Sequence, residues 1–196
     1  MSYFTKAEAR SASQRFTGTQ IAKSATVHLN ESRSHSKDSD SFDIFLSHSV
    51  NDAEIVLGVK RLLEQFGMKV YVDWETDSQL DRSRVSAATA DLLRKRMKQS
   101  KSLIFLATES ASTSKWMPWE LGYFDGFRGG MVAIMPVLEK EDETFAGQEY
   151  LGLYPTVSKG TYSDTKQEEV FVKGATSWTT LKTFGSGSPT WRNFGK

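Results

Sequence analysis

The 196-residue sequence contains no cysteine, and that absence removes disulfides, thiolate nucleophiles and cysteine-ligated zinc together. Histidine is scarce as well: three residues, too scattered to suggest a metal cluster, so no metal is expected. Charge of one sign is lacking, because 25 basic and 24 acidic side chains nearly cancel. No overall field therefore draws the chain to nucleic acid or to an anionic membrane. No window is long and apolar enough to span a bilayer. Residues 1–16 carry Lys6, Arg10 and Arg15 but no apolar run, which does not read as a secretory signal. These absences lead to the expectation of a cytoplasmic protein that binds through a local site. Its 38% hydrophobic content at this length suffices for one sizeable core, with residues left over for tails.

Residues 32–41 (SRSHSKDSDS) are half serine with interspersed charges, a composition that reads as a linker. The expectation is a flexible polar leader over residues 1–41, with a short N-terminal helix or a disordered arm at its start. At Phe42 the character changes to FDIFLS, a short apolar run of the kind found in strands buried on both faces. A helix is predicted next, with Ile55, Val59, Leu62, Leu63 and Phe66 at helical spacing, Asn51 and Glu54 as its start signal and Gly67 as its stop. MKVYVDW reads as the second strand and residues 75–82 as a polar loop, after which Ser83 can cap a helix running to about Lys98. KSLIFLAT is the third strand, residues 114–127 a helix with Pro118 in its first turn, and MVAIMPVLE the fourth strand. YLGLYPTV supplies a fifth, edge strand, and residues 161–196 form a C-terminal extension, packed on the domain or partly disordered.

Strands alternating with single helices require parallel pairing through right-handed crossovers. The fold class is therefore α/β: a doubly wound, flavodoxin-like parallel sheet of four to five strands, with the domain at 42–160. Ligands of such sheets sit at the carboxyl ends of the strands. That directs attention to Ser47 and His48, to the segment from Asp73, and to residues 108–116. No G-x-G-x-x-G turn and no P-loop occurs, and SHS and ATES stand where a phosphoacceptor domain needs acidic residues. In SKWMPWEL, helical spacing puts Trp116, Glu120, Tyr123 and Phe127 on one stripe and Met117, Leu121 and Phe124 on the core-facing side. Glu120 is then an exposed helix carboxylate.

The motifs F-D-I-F-L-S-H-S-x-x-D, V-Y-V-D-W-E and S-x-W-M-P-W-E-L, in this order and spacing, resemble the Toll/interleukin receptor (TIR) family over about residues 42–138. More narrowly, the chain is similar to stand-alone bacterial TIR proteins of antiphage defence, whose enzymes consume NAD+ or convert it to a cyclic or conjugated ADP-ribose signal. The resemblance implies an NAD+ glycohydrolase or ADP-ribosyl cyclase with Glu120 as the catalytic residue. Ser47, His48, Trp74 and Trp116 are the substrate-binding candidates, NAD+ is the substrate, and no cofactor is called for. It also implies self-association through the loop at 73–84, the family's BB loop, and a downstream effector that senses the product. Two rivals stay open: a non-catalytic TIR scaffold, and an enzyme resembling nucleoside deoxyribosyltransferases. Trp74 can equally be a loop anchor, and His48 a backbone cap.

Overall fold

The computed structural model describes residues 2–17, 40–73, 86–141, 143–162 and 165–195. Three strands, β2 (Phe42–Ser47), β4 (Ser100–Ala107) and β5 (Val132–Leu138), are buried at nearly every residue, as strands covered on both faces must be. Together with β3 (Val70–Tyr71) and β6 (Thr156–Thr161) they form a parallel array in the order β3-β2-β4-β5-β6. Helix α2 (Ala53–Gln65) links β2 leftward to β3, whereas α3 (Ala87–Lys98) and α4 (Trp116–Phe127) link rightward to β4 and β5. Right-handed crossovers running in opposite directions place α2 on one face and α3 with α4 on the other. The core lies between these layers around Phe45, Leu103, Phe105, Met117, Phe124 and Ile134.

Local chemistry sets the helix starts. Ser49 Oγ accepts the Asn51 N–H at the head of a 3-10 turn, Val50–Asp52, and α2 begins only after it. The expected Asn51 and Glu54 signal is therefore replaced by a serine two residues earlier. Ser86 Oγ accepts the Thr89 N–H at the start of α3; the predicted cap, Ser83, lies outside the described residues.

Residues 2–17 correct the expectation of a flexible leader through residue 41. β1 (Phe4–Thr5) pairs in parallel with the end of β5, Phe4 opposite Val137, and Ser2 bridges Lys159 of β6 through both backbone bonds. Thr5 and Glu8 form a capping box: Glu8 Oε2 accepts the Thr5 N–H at 2.7 Å while Thr5 Oγ1 accepts the Glu8 N–H at 3.1 Å. Helix α1 (Lys6–Thr17) then lies against α2, with Ala9 and Ala12 buried. The contact is a close one. A Cβ built on Gly58 of α2 would stand 1.8 Å from the Ala9 carbonyl oxygen, so glycine is required there by space alone.

The Glu8 carboxylate also holds Lys159 Nζ, which reaches Glu141 at 2.9 Å. Burial pushes the Glu8 carboxyl upward. The Lys159 ammonium and the Thr5 hydrogen bonds outweigh burial and hold it below its ordinary 4.5. A depressed carboxyl stabilises the fold above its unfolded value and loses that contribution as pH falls through the folded value. The parent should therefore melt above Glu8→Gln at pH 7, by an amount reflecting at most about 1 kcal/mol for this half-exposed pair, and the gap should close in acid below pH 4.5. A constant gap across that window would show that the charge is not the source.

The sheet is wider than expected. Residues 149–153 form a 3-10 turn, and the fifth parallel strand is Thr156–Thr161, which is interior and not an edge. Beyond it β7 (Glu168–Lys173), β8 (Ser177–Thr180) and β9 (Arg192–Asn193) continue in antiparallel fashion, with α5 (Leu181–Gly185) after β8. The extension is thus part of the sheet, because Val170, Val172 and Leu181 bury their side chains in the same core as β4. No described helix is long and apolar enough to cross a membrane.

Candidate active site

β2 carries Ser47 to the carboxyl edge of the sheet, and α4 starts from the same edge after the 3-10 turn Glu109–Thr113. Helical spacing then turns Glu120 toward β2. The Ser47 hydroxyl donates to Glu120 Oε2 at 2.5 Å across a sequence separation of 73. Both residues are 0% exposed. This corrects the reading of Glu120 as an exposed helix carboxylate: α4 packs on β2 and β4, so Trp116, Glu120 and Phe124 all face inward with Met117 and Leu121. A carboxylate removed from water is costly unless hydrogen-bonded, and Ser47 supplies such a bond.

The expected single stripe is consequently divided. Trp116 is 5% exposed and meets Trp119 edge-on at 5.4 Å between ring centroids. Trp119, Tyr123 and Phe127 form a separate ladder along the outer side, with centroid spacings of 5.7 and 6.3 Å, and Arg94 of α3 lies over Trp119 at 5.3 Å. Trp116 therefore sits beside Glu120 at the edge of the core, and Tyr123 and Phe127 belong elsewhere.

His48 is turned inward. Its Nδ1 lies 2.8 Å from the Leu46 carbonyl oxygen and its Nε2 lies 3.3 Å from Asp73 Oδ1, with side-chain exposures of 1% and 2% for the pair. Nδ1 thus meets a backbone group, one of the two readings open for His48, while Nε2 stands at ion-pair distance from Asp73. Trp74, and the loop at 73–84 apart from Asp73 itself, lie outside the described residues. Among the described residues no group of His, Asp and Glu side chains converges as a metal site.

One residue of the edge escaped the sequence reading. Asp52 accepts the Thr108 hydroxyl at 2.6 Å and the Ser110 hydroxyl at 3.2 Å, tying the turn after β2 to the turn after β4. Asp52 ends the motif F-D-I-F-L-S-H-S-x-x-D, and that placement was the available signal, whereas Asp73, already singled out, pairs with His48.

Residues 44–167 match the TIR domain family. The chain belongs to that family. Among relatives of this TIR protein, one from Bacillus cereus (strain MSX-D12), named "Probable 3' cyclic ADP-D-ribose synthase ThsB'", is 55% identical over 132 residues, covering 67% of this chain and 68% of that protein. Another, "Putative cyclic ADP-D-ribose synthase TIR2" from Cytobacillus dafuensis, is 35% identical over 83 residues, covering 42% of this chain and 22% of that protein. The second match thus spans about a fifth of its relative's length. The mostly parallel α/β sheet flanked by helices agrees with the TIR fold expected from the motifs.

Proposed function

We propose that this TIR protein breaks the bond between nicotinamide and ribose in NAD+ and closes the remaining ADP-ribosyl group onto one of its own hydroxyls, giving a cyclic ADP-ribose signal in bacterial antiphage defence. The observation that supports it most directly is the buried Ser47–Glu120 pair at the carboxyl edge of β2, in a chain 55% identical to a protein named as a cyclic ADP-D-ribose synthase.

One carboxylate suffices for the chemistry. As the glycosidic bond breaks, its electron pair passes to the pyridinium nitrogen, and nicotinamide leaves as a neutral molecule. No general acid is needed, in contrast to the leaving oxygen of an ordinary glycoside. Positive charge develops on the ribose, and Glu120 is the group positioned to stabilise it, with Ser47 fixing the carboxylate's orientation. A hydroxyl of the same molecule then adds to the anomeric carbon and releases its proton; if water adds instead, the product is linear ADP-ribose. Exclusion of water from the pocket decides between the two. Trp116, beside Glu120, offers an indole to the nicotinamide or adenine ring.

Glu120 is closed off from solvent in this conformation, so a ribose reaches it only after the surrounding groups move. Self-association through the loop at 73–84 belongs to the same proposal as the source of that movement, and an effector that senses the cyclic product completes it. The test is incubation of the purified protein with NAD+ over a range of protein concentrations, with and without infected-cell lysate, followed by chromatography and mass measurement of the products. Nicotinamide and a cyclic product, with specific activity rising with concentration, are expected. Absence of nicotinamide release under every condition would overturn the enzymatic reading in favour of a scaffold, and linear ADP-ribose alone would overturn cyclisation.

A further inference from the structure

The buried His48–Asp73 pair lies one residue along the chain from the Ser47–Glu120 pair. Leu46 O can only accept a hydrogen bond, so the facing Nδ1 of His48 carries a hydrogen. Nε2 in turn faces a carboxylate oxygen of Asp73 at 3.3 Å. The two groups thus stand at ion-pair distance in a setting closed to solvent.

Such a pair is an expensive means of filling space, since well-packed apolar side chains hold two strands together at lower cost. Its position supplies a reason. His48 follows Ser47 directly, and Ser47 donates to Glu120 at 2.5 Å. Asp73 follows β3 at the point where the chain leaves the sheet edge. Glu120, Ser47, His48 and Asp73 thus make a continuous path from the reactive carboxylate to the exit of β3. Asp52, anchored by Thr108 and Ser110, fixes the neighbouring turn, and His48 reaches the exit of β3 through Asp73.

We propose that His48 and Asp73 are positioning residues for the NAD+ reaction, locking the exit of β3 in register with Ser47 and Glu120 so that the carboxyl edge of the sheet binds the dinucleotide. The inference rests on the NAD+-cleaving reading. A lost lock should weaken dinucleotide binding much more than it slows the bond-breaking step, because Glu120 and Ser47 are left in place.

The experiment measures kcat and KM for NAD+ in the assembled, active protein for the parent, Asp73→Ala, Asp73→Asn and His48→Gln, with melting temperatures alongside. Asp73→Ala and His48→Gln are expected to raise KM about tenfold while kcat changes by less than about threefold. Asp73→Asn should recover most of the loss, to within about threefold of the parent KM, because the amide N–H can donate to a neutral Nε2. Asparagine also protects the test if the alanine variant fails to fold. A parent-like KM in both His48→Gln and whichever Asp73 variants fold overturns the proposal, as does a KM for asparagine as poor as that for alanine. Loss of kcat as deep as that of Glu120→Gln overturns it too, because the pair would then act on the chemistry itself. If the parent releases no nicotinamide, the NAD+ reading fails and this inference falls with it; an active parent with unaffected variants sinks the positioning role alone.

Discussion

Glu120→Gln is expected to lower nicotinamide release by about a thousandfold or more, corresponding to about 4 kcal/mol of lost transition-state stabilisation. Glutamine has the shape of glutamate and its amide oxygen can still accept the Ser47 hydroxyl, so the buried hydrogen bond across 73 residues survives. On the proposed mechanism, what disappears is the carboxylate that stabilises the developing ribosyl cation. The melting temperature of this variant should remain within a few degrees of the parent, at roughly 2–4 °C per kcal/mol for a domain of this size. Glu120→Ala is a poorer probe. It leaves a cavity in the α4–β2 interface and strands the fully buried Ser47 hydroxyl without its acceptor, costing about 1–3 kcal/mol in addition to any kinetic effect. Ser47→Ala should slow release less than Glu120→Gln, since it frees the carboxylate's orientation but keeps its charge. Circular dichroism melts paired with a nicotinamide assay in the assembled protein separate the two effects. A Glu120→Gln variant that turns over at the parent rate would end the assignment of Glu120 as the catalytic residue.

The central strands were legible because β2, β4 and β5 each carry a short apolar run, and α4 because Pro118 and the aromatic run punctuate it. Periodicity also placed Met117, Leu121 and Phe124 inward correctly. It failed on Glu120, since a helix buried on more than one side has no single apolar stripe, and the partner that makes an inward carboxylate tolerable lies in another strand. For His48 the contact with a backbone group was open from the sequence and the contact with Asp73 was not. A histidine after a strand at the ligand edge is as able to face a carboxylate from the next strand as a substrate, and only the pairing of β2 with β3 brings Asp73 within reach. The identity of the catalytic candidate came from family resemblance; its hydrogen-bonded geometry came from the structure. Least visible was α1. KAEARSASQRFT offers Ala9 and Ala12 to the core in place of large apolar side chains, so hydropathy sees a polar segment where close backbone approach supplies the packing.

That mode of packing makes Gly58→Val the most damaging substitution expected away from the active site. The first added carbon would fall 1.8 Å from the Ala9 carbonyl oxygen, and both the oxygen and the new Cβ are held by helical backbone, so neither can yield alone. Helix α1 must lift, which uncovers Ala9 and Ala12 and pulls on the β1 pairing that seats Phe4 beside Val137. Overpacking with partial loss of an element places the cost at about 3 kcal/mol or more, a melting decrease on the order of 10 °C. Removal of residues 1–17 should cost at least as much, because it also leaves the end of β5 unpaired and strips Glu8 from Lys159. Gly122→Ala on α4 is the control. A Cβ there meets nothing within 4 Å, and alanine is the better helix former by about 1 kcal/mol, so this variant should melt at or above the parent. If Gly58→Val and the truncated chain both melt within about 2 °C of the parent, well under the roughly 6–12 °C expected for 3 kcal/mol, then α1 contributes little to the fold and its seat on α2 is not the one described.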